Sequence, residues 1–277
     1  MLDEFIRKSL QEDIGDGDHS TLACIPAEAQ GKARLLVKEN GIIAGLEVAK
    51  RIYEIVDPLL QVSFFKKDGD AIEIGEIAFE IVGSSRSILT SERLVLNCLQ
   101  RMSGIATQTA QVLRVIEGCK TKILDTRKTT PGIRFLEKWA VKIGGGENHR
   151  FGLYDMIMLK DNHVDYAGGI KNAIEKTHTY LKETERSLKI EIEVRTLSEL
   201  NQVLEIGGVD RIMLDNFSPE RLKEALALIP DAYETEASGG INIDNIRPYA
   251  ETGVQFISIG ALTHSVKGLD LSLKASF

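Results

Sequence analysis

Residues 189–216 read KIEIEVRTLSELNQVLEIGGVDRIMLDN. Two short runs rich in Ile, Val and Leu, KIEIEV (189–194) and RIML (211–214), flank LSELNQVLEIG, whose apolar residues recur at helical spacing. Strand, helix and strand in that order predict a parallel pair joined by a crossover helix. The same rhythm extends both ways, with strand-like runs at KILD (122–125), AVKI (140–143), MIML (156–159), YETEA (233–237) and FISIG (256–260). Helical patterns fill several gaps, among them AGGIKNAIEKTHTYL, SPERLKEALALI and NIRPYAETG. About seven strands in so short a length predict a closed or nearly closed (β/α) barrel rather than an open sheet.

In such a barrel the chemistry sits at the C-terminal ends of the strands. The residues there are Asp125, Arg127 and Lys128; Gly144 to Gly146; Lys160, Asp161 and Asn162; Glu193; Asp215 and Asn216; Ser238, Gly239 and Gly240; and Gly260. Cations occupy one side of this ring, two carboxylates follow, and Gly-rich turns close it. Exposed backbone N–H groups in such turns cradle phosphates, and arginine offers a bidentate fork to carboxylates. Carboxylates near a phosphate hold Mg²⁺ or ribose hydroxyls. The set asks for a phosphorylated sugar and a carboxylate-bearing second substrate.

Charge supports a small anion as ligand. From Lys122 to Lys160 eight Lys or Arg stand against four acidic residues, while the whole chain of 277 residues carries −7. A cationic island in an acidic protein attracts a small anion, whereas phosphate-backbone binders show a basic domain; no nucleic acid partner is expected. No apolar run approaches the roughly 20 residues that cross a bilayer, so no membrane is expected either. MLDEFIRKSLQED is charged and amphipathic rather than a secretion signal. Cys24, Cys98 and Cys119 lack disulfide or metal spacing and read as small core residues of a cytoplasmic protein.

Upstream of the barrel, GKARLLVKE, LQVSFF and EIAFEIVG read as strands, with a tight turn at 67–70. Leu2 to Gln11 and GLEVAKRIYEIV read as helices, and Thr90 to Val115 as a long helical region interrupted near Ser103–Gly104. The acidic EDIGDGDHST lacks EF-hand spacing and reads as a capped turn. This first part reads as a separate α+β domain of roughly 105 residues.

Eight strings in this chain resemble the quinolinate phosphoribosyltransferase (decarboxylating) family: EDIGDGD (12–18), LNCLQRMSGIAT (96–107), DTRKTTPGIR (125–134), KWAVKIGGGENHRFGLYDMIMLKDNH (138–163), IEIEV (190–194), IMLDN (212–216), EASGGI (236–241) and ISIGALTHS (257–265). The resemblance implies an N-terminal α/β sandwich domain over 1–107, onto which the tail 267–277 packs, and an incomplete, about seven-stranded α/β barrel as catalytic domain over 108–266. It implies transfer of phosphoribosyl from 5-phosphoribosyl-1-pyrophosphate to quinolinate with loss of CO₂, a step of NAD synthesis that uses Mg²⁺. It implies that Arg127, His149, Arg150 and Lys160 bind the two carboxylates of quinolinate. Lys128, Glu193, Asp215, Ser238, Gly239, Gly240 and Gly260 would hold the sugar donor and its metal. Lys128, Lys160, Glu193 and Asp215 are the expected catalytic residues, and Glu193 and Asp215 the metal ligands. It also implies a homodimer, or a hexamer, in which Arg93 enters the neighbouring subunit's site.

Three other readings stay open on the residues alone. Lys160 at a strand end could form a Schiff base; the barrel could be a non-catalytic anion binder; or the acceptor could be nicotinate, with one carboxylate.

Overall fold

The computed structural model describes residues 1–276. The chain begins α1 (Leu2–Ile14), α2 (His19–Cys24), β1 (Gln30–Val37), β2 (Gly41–Ile42), α3 (Leu46–Val56), β3 (Gln61–Phe64), β4 (Ala71–Ile72), β5 (Ile77–Ser84) and α4 (Ser85–Val115). It continues β6 (Lys122–Leu124), α5 (Arg134–Ile143), β7 (Ile157–Leu159), α6 (Asp161–Ala167), α7 (Ile170–Glu183), β8 (Ile190–Val194), α8 (Leu197–Ile206), β9 (Arg211–Asp215), α9 (Pro219–Leu228), β10 (Glu234–Ser238), α10 (Ile246–Ala250), β11 (Phe256–Ser258), α11 (Ala261–His264) and β12 (Leu271–Ala275).

Two compact units interleave along the chain. The first takes residues 1–110, 129–145 and 262–276; the second takes 111–128 and 146–261. The expected boundary at 107/108 falls inside α4, which is one unbroken helix of 31 residues, about 45 Å long. No interruption occurs at Ser103–Gly104. Ser103 Oγ instead accepts from Ala44 N–H at 2.9 Å and donates to Ala44 O at 3.2 Å. A Cβ on Gly104 would collide with the carbonyl of Lys267. These small residues mark close approach, not a helix end.

The first unit is built on an antiparallel sheet of order β12-β1-β5-β3. Its inward positions are apolar: Ala33, Leu35, Val37, Phe79 and Ile81 are buried. The C-terminal strand β12 pairs with β1 from Ala33↔Ala275 to Val37↔Leu271. The amphipathic stripe of α3, including Val48, Ala49, Ile52 and Tyr53, is buried, and Asp68 Oδ1 caps that helix by accepting Leu46 N–H at 2.8 Å. Within the acidic run, α1 ends at Gly15 (φ 56°), and Asp18 then caps α2 through Thr21 N–H.

The second unit is a parallel sheet of six strands in the order β6-β11-β10-β9-β8-β7. Among the described residues β6 and β7 do not pair, so the barrel is incomplete. The seventh expected strand, AVKI, is the end of α5, in the first unit. Its β-branched residues suggested a strand, but Leu136, Ala140 and Val141 are buried at helical spacing. Strand parity does the rest: Ile190, Ile192, Val194, Ile212 and Leu214 are buried on one face, and Glu191, Glu193, Arg211, Met213 and Asp215 alternate with them onto the other. Thr196 and Ser218 cap α8 and α9, each accepting a backbone N–H.

Of the three cysteines, Cys98 is buried and Cys119 half-buried, but Cys24 is exposed, contrary to its reading as a core residue. No helix of the described residues is long and apolar enough to cross a membrane.

Candidate active site

Parallel register fixes the layers on the charged face of the six-stranded sheet. Ser238 pairs with Asp215, Glu236 with Met213 and Met213 with Glu193. Lys160, Glu193, Asp215 and Ser238 therefore come from neighbouring strand ends; Glu191 lies one step further in than Glu193 along β8, and Glu236 one step further in than Ser238 along β10, level with Glu193.

At the strand ends, Lys160 Nζ donates to Glu193 Oε2 at 2.9 Å. The lysine is about half exposed and the glutamate nearly buried, so the pair itself contributes at most about 1 kcal/mol of stability. It is a weak tie that an incoming anion can replace. Lys160 also starts α6, and His163 Nδ1 accepts its backbone N–H at 3.1 Å. Asp215 accepts from Asn216 Nδ2 at 2.6 Å. Burial first, and then the Glu193 charge, hold the Asp215 carboxyl above its usual range. Two hard oxygen donors near enough for the charge of one to raise the other suit a hard divalent cation such as Mg²⁺.

The turn after β9 and the turn after β10 interlock. Asn216 is left-handed (φ 57°), and its N–H donates to Ser238 O at 2.8 Å. Gly239 has φ 98°, and a Cβ there would collide with Asn216 Oδ1 and lie 2.8 Å from Asn216 N. Gly240 (φ 63°) has open space where a side chain would stand. Glycine here leaves backbone uncovered for a ligand. Gly260 is half-buried two residues past the end of β11.

The cations arrive on two segments. Glu147 bridges to Leu124 beside β6, with Glu147 N–H to Ile123 O at 2.8 Å and Asp125 N–H to Glu147 O at 3.1 Å. The buried Asp125 carboxylate then accepts His149 N–H at 2.9 Å. This added strand segment carries the ENHR sequence alongside the β6 end, where Arg127 and Lys128 are exposed. Thr126 Oγ1 accepts Lys128 N–H at 3.0 Å. Burial, and next the charge of Arg127, pull the Arg150 guanidinium below the usual arginine range. Two guanidinium charges held close enough to repel make a receptor for an anion. Arg150 Nη1 donates to Met156 O at 3.1 Å, and Asp155 closes the intervening loop by accepting the N–H groups of Phe151 and Gly152.

His149 is buried, and its ring faces the protein. Nδ1 accepts the backbone N–H of Arg150 at 2.7 Å. Nε2 is 2.9 Å from Glu191 Oε2 and 3.5 Å from Glu236 Oε2. Glu236 in turn takes Arg211 Nη1 at 2.9 Å, and Arg211 also grips Glu234. Both interior carboxyls are fully buried; burial pushes each up to about 7, and the Glu191 charge adds to the effect on Glu236. The strand-end reading missed this layer. The signal for it was the alternation in IEIEV and ETEAS, which puts Glu191 on the face of Glu193 and Glu236 on the face of Ser238.

The second unit thus brings together Arg127, Lys128, His149, Arg150, Lys160, Glu193, Asp215, Ser238, Gly239, Gly240 and Gly260. Arg93 belongs to the first unit, exposed on α4. It lines a cavity of about 250 Å³ with Phe5, Glu12, Asp13, Asn97 and Arg101.

Comparison with known proteins covers nearly all of the chain. Residues 18–103 match the family profile described as quinolinate phosphoribosyl transferase, N-terminal domain, and residues 105–274 that of the C-terminal domain. The chain is 46% identical over 285 residues to the chloroplastic nicotinate-nucleotide pyrophosphorylase [carboxylating] of Oryza sativa subsp. japonica, covering 97% of this chain and 76% of that one. It is 43% identical over 273 residues to the probable nicotinate-nucleotide pyrophosphorylase [carboxylating] of Bacillus subtilis, covering 99% and 93%. Among solved structures, NadC from Streptococcus pyogenes is similar, with a TM-score of 0.94, 40% identity, and coverage of 99% and 96%.

Proposed function

The chain belongs to the quinolinate phosphoribosyltransferase family, and from that premise we infer that the strand-end site of its barrel joins quinolinate to 5-phosphoribosyl-1-pyrophosphate. The enzyme is a decarboxylating pentosyltransferase, and its products are nicotinate mononucleotide, pyrophosphate and CO₂, which fits NAD biosynthesis. The observation that carries the site reading is the crowding of Arg127 and Arg150 charges on one side of the strand ends, with Lys160, Glu193 and Asp215 on the other.

Both substrates are anions and would repel in one pocket. Arg127 and Arg150 take the two carboxylates of quinolinate, with Lys160 exchanging Glu193 for substrate; His149 stands behind Arg150. Ser238, Gly239, Gly240 and Gly260 hold the donor's phosphate through backbone N–H groups, with Lys128 as a further cation. As the anomeric C–O bond breaks, positive charge grows on the ribose, and the Glu193 and Asp215 carboxylates stabilise it electrostatically. The ring nitrogen of quinolinate forms the new bond and becomes a pyridinium. When CO₂ leaves, the electron pair of its bond to the ring stays on carbon, stabilised by that positive nitrogen until a proton replaces it. A pocket that excludes water favours loss of the charged carboxylate. No enzyme nucleophile takes part. Lys160 is engaged as a cation donor to Glu193, which favours this reading over a Schiff base.

Glu193 and Asp215 would hold Mg²⁺, directly or through water or ribose hydroxyls. The fit rests on two hard oxygen donors at the ends of neighbouring strands, near enough that the Glu193 charge raises the Asp215 carboxyl. When bound, the ion supplies charge neutralisation for the departing pyrophosphate. A homodimer, alone or as part of a hexamer, with Arg93 completing the neighbouring site, is the assembly we propose. The compartment we propose is the cytoplasm, on the strength of three free cysteines, one of them exposed.

The test is turnover of quinolinate with phosphoribosyl pyrophosphate and Mg²⁺, following nicotinate mononucleotide and CO₂, with nicotinate as parallel acceptor. Product from quinolinate alone is expected. Turnover of nicotinate alone would keep the fold and change the enzyme.

A further inference from the structure

We infer that Glu191 and Glu236 are positioning residues for Arg150, acting through the imidazole of His149. The inference rests on Arg150 being a contact to the substrate carboxylate, as read above.

The geometry forms one chain from the barrel interior to that guanidinium. Arg211 anchors Glu236 at 2.9 Å and Glu234 at 2.8 Å. Glu236 and Glu191 both face His149 Nε2, at 3.5 and 2.9 Å. His149 Nδ1 accepts Arg150 N–H at 2.7 Å, and Asp125 fixes the preceding peptide through His149 N–H at 2.9 Å. Because Nδ1 is an acceptor, the proton of the neutral ring sits on Nε2, facing the carboxylates. A carboxylate behind a histidine sets tautomer and ring orientation. Here the far side of the ring holds a backbone N–H, so the orientation is passed to the peptide that bears the Arg150 side chain.

The alternative for this cluster is a cation. The ligand atoms of His149, Glu191 and Glu236 lie within 4.8 Å of one another. Two observations weigh against it. A metal ligand needs the Nε2 lone pair, which the proton occupies while Nδ1 accepts. Glu236 already has the Arg211 guanidinium, and a second cation beside it would be repelled. Nor does the cluster read as a device for stability alone. Two carboxyls with no exposure, flanking one imidazole, cost more in desolvation than a packed apolar layer would.

The test is a double-mutant cycle on the full-length enzyme. Glu191→Gln keeps shape and removes the carboxylate. It should raise the KM for quinolinate about tenfold, leave the KM for phosphoribosyl pyrophosphate within about twofold, and lower kcat by less than about threefold. Glu236→Gln should move the same constant in the same direction. In an Arg150→Ala background the Glu191→Gln change should add less than about twofold, because its effect runs through Arg150. Equal effects in both backgrounds, or an unchanged quinolinate KM in Glu191→Gln, would overturn the inference. A second readout needs no turnover: ¹⁵N NMR of the imidazole in the unaltered, ligand-free protein should show Nε2 protonated and Nδ1 unprotonated. The opposite tautomer would refute the positioning role. If the unaltered enzyme formed no product from quinolinate while the tautomer was as stated, the functional reading would fail and the His149 geometry would stand.

Discussion

Lys160 Nζ and Glu193 Oε2 meet at 2.9 Å across the ends of β7 and β8. One residue is assigned to the anionic acceptor and the other to the donor and its metal. In the free protein each neutralises the other, so neither charge stands uncompensated before substrate arrives. Because the lysine is about half exposed, separating them costs about 1 kcal/mol or less.

Removing either guanidinium should expose that division of labour. Arg127→Ala or Arg150→Ala should each raise the KM for quinolinate tenfold or more, since a charge-assisted hydrogen bond contributes roughly 1.5–3 kcal/mol. The KM for phosphoribosyl pyrophosphate should move much less. Steady-state kinetics with each substrate varied in turn decides it, and equal damage to both constants would refute the assignment.

For the carboxylates, chelation of Mg²⁺ should abolish turnover, and re-addition should restore it. Asp215→Asn and Glu193→Gln should each lower kcat by roughly 10²–10³-fold, the scale of lost electrostatic stabilisation of a developing charge. Each should also raise the Mg²⁺ concentration needed for half-maximal rate. Full activity in excess chelator would remove the metal from the site.

The interior pair gives a pH dependence of stability. Burial raises the Glu191 and Glu236 carboxyls from 4.5 to about 7. The folded protein therefore keeps protons that the unfolded chain has released, and stability falls as pH rises from about 5 to about 7. Glu80, lowered by Lys32 and then Arg34, acts below that window, since its contribution is lost only as pH falls beneath the ordinary range. Thermal melts at fixed ionic strength should show Tm decreasing across the window, and Glu191→Gln with Glu236→Gln should flatten the curve. A Tm rising over the same interval would contradict the assignment.

Gly239→Ala should be costly in a way that Gly240→Ala is not. The first meets Asn216 and a left-handed backbone; the second shares only the left-handed backbone. Strain of that kind amounts to about 1–3 kcal/mol, so both should lower Tm, with Gly239→Ala lower and with greater loss of affinity for phosphoribosyl pyrophosphate.

Mixing Arg93→Ala with Lys160→Ala chains tests the proposed assembly. If Arg93 serves a neighbouring site, the mixture should recover part of the activity that each variant lacks. No recovery, with mixed oligomers present, would place Arg93 outside the site.

Much of this was legible from local pattern. The strand–helix alternation after residue 189 gives the parallel sheet, and the assigned strand-end residues of the barrel lie in the second unit, except Gly144 and Gly145, which follow α5 in the first. Two things were hidden, for different reasons. AVKI has a strand's composition but finishes a helix, because burial of Leu136 and Ala140 outweighs β-propensity over four residues. Glu191 and Glu236 do not stand out at the strand ends; whether a strand faces water or a barrel interior is a tertiary fact that the alternation alone cannot fix.

The pairing of β12 with β1 bears on how the protein is made. A ribosome delivers the residues of β1 early, but that strand's edge partner emerges only after all six barrel strands. The barrel unit can therefore mature first, while the opening segment waits with an uncovered strand edge. Translation through residue 275 then closes it, so the part of the chain that is synthesised first is the part that is finished last.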